Sequence, residues 1–236
     1  MRGLFVTGTD TGVGKTLVAC ALLAGLRRAG LRTAAMKPVA SGSEWTSAGL
    51  RNEDATRLAA QADCHLPYEL LNPYVFQPPV APHIAAREAG IRMEMEHLLA
   101  AYRRIAAEGA DLCVVEGAGG WLVPLNEEQT LADLAVELDL PVVLVVGMRL
   151  GCLNHALLTA ESIQARGVRL VGWVANQIEP DVSRLDANIE TLRRRLPARF
   201  LGSIGYRPDG SAEEAAGLLD IGMLERDLVR RWPENH

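Results

Sequence analysis

Short, almost wholly apolar runs alternate with amphipathic stretches along this chain. The runs at residues 4–6, 33–36, 112–115, 141–146, 168–175 and 200–201 have the length of strands, without the polar alternation of a half-exposed sheet. Between them, residues 17–23 open a helix that ends near residues 28–30. Asn52 is suited to cap a helix running through Gln61, with Glu53 and Asp54 in its acid-preferring first turn. Met95, Leu98, Leu99, Tyr102 and Ile105 share one helical face, residues 152–165 read as a further helix, and Leu185, Ile189, Leu192 and Leu196 mark another. Apolar strands separated by helices predict an α/β fold: a mostly parallel central sheet flanked by helices on both faces. Pro67, Pro73, Pro78, Pro79 and Pro82 break the stretch between them, which is expected to leave the core as an irregular excursion. No internal repeat appears.

Length and composition narrow the class. With 236 residues and 49% apolar content, a single domain over residues 1–236 is expected. A formal charge of -5 argues against a nucleic-acid surface. No stretch approaches the roughly 18 apolar residues of a membrane span, and the N-terminus enters strand one without a charged leader. Cys20, Cys64, Cys113 and Cys152 are scattered without a C-x-x-C pair, so reduced, buried thiols in a cytoplasmic protein are expected.

The candidate chemistry begins at residues 8–16, GTDTGVGKT, between the first strand and the first helix. Such a turn delivers phosphate to free backbone N–H groups and the positive end of a helix, as in P-loop NTPases. Gly8, Gly12 and Gly14 let the backbone approach an anion, Lys15 can neutralise terminal phosphates, and the Thr16 hydroxyl can ligate Mg²⁺. Five residues, not the usual four, separate Gly8 from Gly14, and Thr9 stands where the first glycine is expected.

In a parallel sheet, ligands collect beyond the carboxyl ends of the strands. Lys37 follows strand two in KPVASGSE, with the Ser41 hydroxyl four residues on. It is either a solvated strand-end lysine or a group that stabilises a transferring phosphoryl. Glu116 ends its strand before glycines, where a carboxylate reaches Mg²⁺ or merely caps the turn. Asp54 reads equally as a dipole-favoured acid. Trp45, Trp121 and Trp173 read as packing or rim residues. Residues 193–195 read as the solvated side of their helix, and His83 and His155 as structural or hydrogen-bonding groups.

Taken together, these blocks resemble the dethiobiotin synthetase family, which closes a ureido ring at the expense of ATP. The resemblance rests on residues 8–16, 37–44 (KPVASGSE), 49–54 (GLRNED), 72–74 (NPY), Pro82-His83, 116–121 (EGAGGW), 150–155 (LGCLNH) and 172–176 (GWVAN), and fades after about Glu179. The family shares the five-residue loop spacing. The resemblance implies 7,8-diaminononanoate and CO₂ or bicarbonate as substrates, with ATP and Mg²⁺. One amine becomes a carbamate, ATP activates it as a carbamic-phosphoric anhydride, and the second amine closes the ring. It implies Thr16, Asp54 and Glu116 as metal ligands and Lys37 with Lys15 as catalytic lysines. Gly12, Val13, Gly14, Lys15, Thr16 and Leu17 are the implied phosphate contacts, and Gly117, Ala118 and Gly119 lie beside them. Asn176 and Gln177 are implied at the base, with Gly205, Tyr206, Arg207 and an acid among residues 209–213. Thr11, Lys37, Ser41, Gly151, Cys152 and Asn154 are the implied substrate contacts, in a homodimer whose active sites are shared. Asn188 stands where the family has an aromatic residue over the substrate.

A partitioning-ATPase nucleotide switch is the alternative from another class. That group carries a second lysine at the start of the loop, where this chain has Asp10, and it leaves residues 37–43 unexplained. Amide-forming cobyrinate-type synthetases need a further glutaminase domain that this length does not accommodate.

Overall fold

The computed structural model describes residues 2–207 and 210–231. In chain order the elements are β1 (Arg2–Gly8), α1 (Lys15–Arg28), β2 (Thr33–Met36), β3 (Val39–Ala40), β4 (Glu44–Thr46), β5 (Gly49–Arg51), α2 (Glu53–Gln61), α3 (Tyr68–Leu71), β6 (Tyr74–Val75), α4 (Pro82–Glu88), α5 (Met95–Ala107), β7 (Leu112–Glu116), α6 (Leu131–Glu137), β8 (Val142–Met148), α7 (Cys152–Ala165), β9 (Leu170–Gln177), α8 (Leu185–Arg195), β10 (Arg199–Ile204), α9 (Ala212–Ala216) and α10 (Ile221–Arg231). Six strands form a parallel sheet in the order β10-β9-β8-β1-β7-β2.

The strands are apolar throughout because successive side chains feed two cores. Phe5, Val142, Leu144 and Val146 pack on one face with the buried residues of α5, α6 and α7. Leu4, Val6, Val143 and Val145 point the other way, towards α1, α2 and α9. Helix α1 lies so deep that it is buried on nearly every side, which explains its weak polar stripe. All four cysteines are free and buried. Among the described residues, no helix is long and apolar enough to cross a membrane.

The proline-rich segment departs from expectation. It does not leave the core: Leu70, Leu71 and Phe76 are buried, α3 forms one helical turn directly after Pro67, and β6 pairs with β3 in a small parallel sheet. Proline excludes a long helix, but here it starts and ends short elements whose side chains still pack inwards. The main chain of this segment also receives the backbone after β2, since the Lys37 N–H donates to the Leu71 carbonyl at 2.7 Å.

Candidate active site

Strands β1, β2, β7 and β9 end on the same side of the sheet, and a cleft of about 440 Å³ opens there. It brings together Thr11, Gly12, Gly14, Lys15, Thr16 and Leu17 from the glycine-rich turn and α1. Lys37, Ser41, Asp54, Glu116, Ala118 and Gly119 line it from the neighbouring strand ends and α2, and Asn176, Gln177, Tyr206 and Arg207 from the far side.

At its centre is a buried charge cluster. The Lys37 ammonium donates to Glu116 Oε1 at 2.6 Å, to Asp54 Oδ2 at 3.1 Å and to the Gly117 carbonyl at 3.2 Å. Lys37 is 3% exposed and Glu116 fully buried, so neither charge is tolerable without the other. Burial alone would lower the Lys37 pKa; Glu116 and Asp54 outweigh it and hold the pKa above the ordinary value. Burial likewise pushes the Asp54 carboxyl up, and is outweighed chiefly by Lys37, with the Thr16 hydroxyl and Lys15 nearby, so its pKa is lowered.

The cluster leaves one oxygen donor unclaimed. Thr16 Oγ1 donates to Glu116 Oε1 at 2.8 Å, whereas Glu116 Oε2 is buried with no hydrogen-bond partner. An orphaned carboxylate oxygen beside a hydroxyl and a second carboxylate is a hard oxygen donor set. It fits Mg²⁺, which takes one or two carboxylates and completes its shell from phosphate and water. Among the described residues, no group of three or more His, Cys, Asp or Glu forms a metal cage of its own.

The turn itself is shaped for an anion. Gly14 is the N-cap of α1; it has a positive φ of 86° and no side chain to cap with, so the first N–H groups of the helix face the cleft unclaimed by a cap. Lys15 folds back and donates to the Asp10 carbonyl at 2.9 Å. Burial, then repulsion from Lys37, lowers its pKa to about 8. Gly8 serves packing and not the anion: a Cβ there would lie 2.6 Å from Val13 Cγ2 and 3.1 Å from Lys15 Cγ. Asp10, where a second lysine would mark the switch proteins, accepts from the Thr11 N–H and pairs with Arg149 at the end of β8.

Some expected contacts do not line the cleft, and others line it with polar groups already engaged. Val13 is buried beneath the turn, Gly117 contributes its carbonyl to Lys37 from behind the wall, and Gly205 does not line the cleft. Asn176 gives one of its two amide N–H donors to the Val13 carbonyl at 2.8 Å, and Gln177 donates to the carbonyls of Glu179 and Pro180. Glu213 faces Arg27 across α1, Arg207 pairs instead with Glu214, and Asp209 lies outside the described residues. Gly151, Cys152 and Asn154 do not line this chain's cleft, and the Cys152 side chain is sunk in the core. Trp121 and Trp173 are packing residues, Trp45 is exposed, residues 193–195 are solvated, and the His83 Nδ1 is buried without a hydrogen-bond partner. Asn52, Arg57, Ile178 and Gly210 line the cleft although sequence reasoning did not nominate them. For Arg57 a signal existed: it follows Asp54 by one helical turn and shares its face.

An AAA domain family profile matches residues 2–214. The ATP-dependent dethiobiotin synthetase BioD of Pseudomonas aeruginosa is 54% identical over 224 residues, covering 95% of this chain and 98% of that protein. Its namesake in Pseudomonas paraeruginosa is 53% identical with the same coverage. Among solved structures, the MinC:MinD cell division protein complex of Aquifex aeolicus aligns over 100% of this chain and 99% of that chain, with TM-score 0.59 and 16% identity. MinD alone from the same organism, with TM-score 0.56 and 14% identity, aligns over the whole of both chains. These two likenesses show that the fold is shared over the whole chain and nothing more.

Proposed function

The chain belongs to the ATP-dependent dethiobiotin synthetase family, an ATP-using ligase of biotin biosynthesis, and on that premise we propose that it converts 7,8-diaminononanoate, CO₂ and ATP to dethiobiotin, ADP and phosphate. The observation that carries this reading is the buried Lys37 ammonium held against Glu116 and Asp54 beside the phosphate turn. A cation fixed there can stabilise the anionic intermediates of a carboxylation.

In the proposed sequence, one substrate amine adds to CO₂, forming an N–C bond and losing a proton to give a carbamate. A carbamate oxygen attacks the γ-phosphorus, and the bond to ADP breaks. The second amine attacks the activated carbon and gives up a proton, the bond from carbon to the phosphate oxygen breaks, phosphate leaves, and the ring closes. Lys37 stabilises the negative charge on the carbamate and on the group in transfer. The α1 N-terminus, with Gly12, Gly14, Lys15 and Leu17, binds and orients the phosphates. Thr16, Asp54 and Glu116 would hold Mg²⁺, which neutralises phosphate charge when bound.

The reading includes a homodimer in which residues 150–155 of one protomer serve the cleft of the other. Three features support it: the turn lies outside its own chain's cleft, Leu150 is fully exposed, and α7 follows an N-cap, Gly151, that offers no side-chain cap, leaving N–H donors for a carboxylate. The decisive assay measures ATP hydrolysis with and without diaminononanoate and bicarbonate. Hydrolysis that depends on the diamine and matches ring-closed product one to one is the expected result. Turnover indifferent to the diamine would refute the reading.

A further inference from the structure

The Lys37–Asp54 pair joins two elements that are not neighbours in the sheet: the backbone after β2 and the first turn of α2. Something must hold their spacing, because a lysine stem is flexible and Asp54 is part exposed. A chain of hydrogen bonds, buried at Asn72 and partly buried at Tyr68, runs between the same two elements on their far side. Asn72, 1% exposed, donates through Nδ2 to the Lys37 carbonyl at 2.7 Å and to the Tyr74 carbonyl at 3.1 Å. Its Oδ1 accepts from the Tyr68 hydroxyl at 3.1 Å. That same hydroxyl accepts from the Asn52 N–H at 2.8 Å. Asn52 is the N-cap of α2, accepting from the Ala55 N–H at 3.3 Å, and its Nδ2 reaches the Ser41 carbonyl at 3.3 Å. The Arg51 guanidinium lies 4.0 Å from the Tyr68 ring centroid and holds the ring in place.

Followed round, the bonds form a closed circuit: Lys37 backbone, Asn72, Tyr68, Asn52, the first turn of α2, Asp54, and back to the Lys37 ammonium. We infer that Tyr68 and Asn72 are positioning residues, and that the Tyr68 hydroxyl is the joint that sets Lys37 against Asp54 for the reaction. The hydroxyl suits that task because it donates to one half of the circuit and accepts from the other at once. Two further side-chain links run between the same elements, the Lys37 ammonium to Asp54 and Asn52 Nδ2 to the Ser41 carbonyl, but the Tyr68 hydroxyl is the one that ties the Lys37 backbone, through Asn72, to the N–H of the α2 cap. Neither residue lines the cleft, so each acts through Lys37 and Asp54 and not on substrate.

This inference rests on the ligase reading, and the test separates the two. Asn72→Ala empties a buried polar position and risks unfolding, so Tyr68→Phe carries the experiment; it removes one oxygen and leaves the ring under Arg51. Misplacing a catalytic group by a fraction of an ångström should lower kcat about ten- to hundredfold, with KM for ATP and diamine within about twofold of wild type. A merely structural hydroxyl would lower the melting temperature but not split kcat from KM. A double-mutant cycle adds the second readout: Tyr68→Phe in an Asp54→Asn background should add little further loss, because the pair it positions is already broken. An active wild type with Tyr68→Phe turnover within about twofold of it, or losses that multiply in the cycle, overturns this inference alone. A wild type inert towards the diamine overturns the ligase reading and this inference with it.

Discussion

Lys37 is a catalytic candidate that is also part of the core electrostatics. A lysine at a strand end looks replaceable from the sequence alone, and its loss would be expected to stop turnover while sparing the fold. The structure alters that expectation, since Lys37→Ala leaves the fully buried Glu116 carboxylate without its partner. The variant should lose turnover by at least ~100-fold. It should also lose about 3–5 kcal/mol of stability, the usual result of orphaning a buried charge. Mg²⁺ should raise its melting temperature by more than it raises that of the wild type, because the cation becomes the main counter-charge. Equal Mg²⁺ shifts, read by thermal denaturation, would remove Thr16, Asp54 and Glu116 as the metal site. Lys15 carries a pH signature. Its pKa in the fold, about 8, lies below the unfolded value, so protonated Lys15 opposes folding at low pH and that penalty fades as the pH rises through about 8. Phosphates favour the ammonium, so ATP affinity should weaken over the same rise, and binding near that pH should take up protons. Calorimetric titration in buffers of different ionisation heat reads this directly, and proton release would contradict it.

Among the elements, the strands and the long helices were legible as patterns because their periodicity is local. Helix α7 spans Cys152–Ala165 and α2 runs Glu53–Gln61 behind an Asn52 cap, both as their patterns indicate. Strands β8 and β9 run two residues further than their apolar runs, to Met148 and Gln177, because pairing with a neighbouring strand continues past the hydrophobic stretch. Helix α6 was missed, although Thr130 and Asp133 mark its start. Asp133 accepts from the Thr130 N–H at 2.7 Å, the Thr130 hydroxyl accepts from the Asp133 N–H, and Arg166 pairs with Asp133 at 2.6 Å. Burial raises the Asp133 pKa but is outweighed by the Thr130 bonds and Arg166, so its contribution is present above the ordinary carboxylate range and lost on strong acidification. Thr130→Ala should cost about 1 kcal/mol and lower the melting point by about 2–4 °C. Turnover should hold, because α6 does not reach the cleft; a parallel fall in kcat would show that α6 shapes the site.

At the scale of the whole molecule, the proposed homodimer places residues 150–155 of one protomer at the cleft of the other. Leu150 is fully exposed and Leu158 more than half exposed on the same helix region, an apolar surface that a homodimer would cover. Mixing inactive Lys37→Ala protein with a variant disrupted at Gly151 and Asn154 should restore part of the activity, since half the sites in a mixed dimer keep both contributions intact. No recovery after demonstrated subunit exchange would mean that each site belongs to one chain.

The sequence by itself determined the phosphate turn, the parallel α/β class and the family, because each is written in contiguous residues or in short periodicities. It also pointed to Lys37, Asp54 and Glu116 one at a time. That these three meet was decided by strand order, which sets β7 between β1 and β2 and brings together residues 17 and 79 positions apart. Only the tertiary structure assigned the Asn176 amide to the Val13 carbonyl, turned the 150–155 segment away from its own cleft, and set Tyr68 behind Lys37. Local pattern encodes which face of an element is apolar. It does not encode which strand ends become neighbours, and a site built from neighbouring strand ends is readable only once the sheet is assembled.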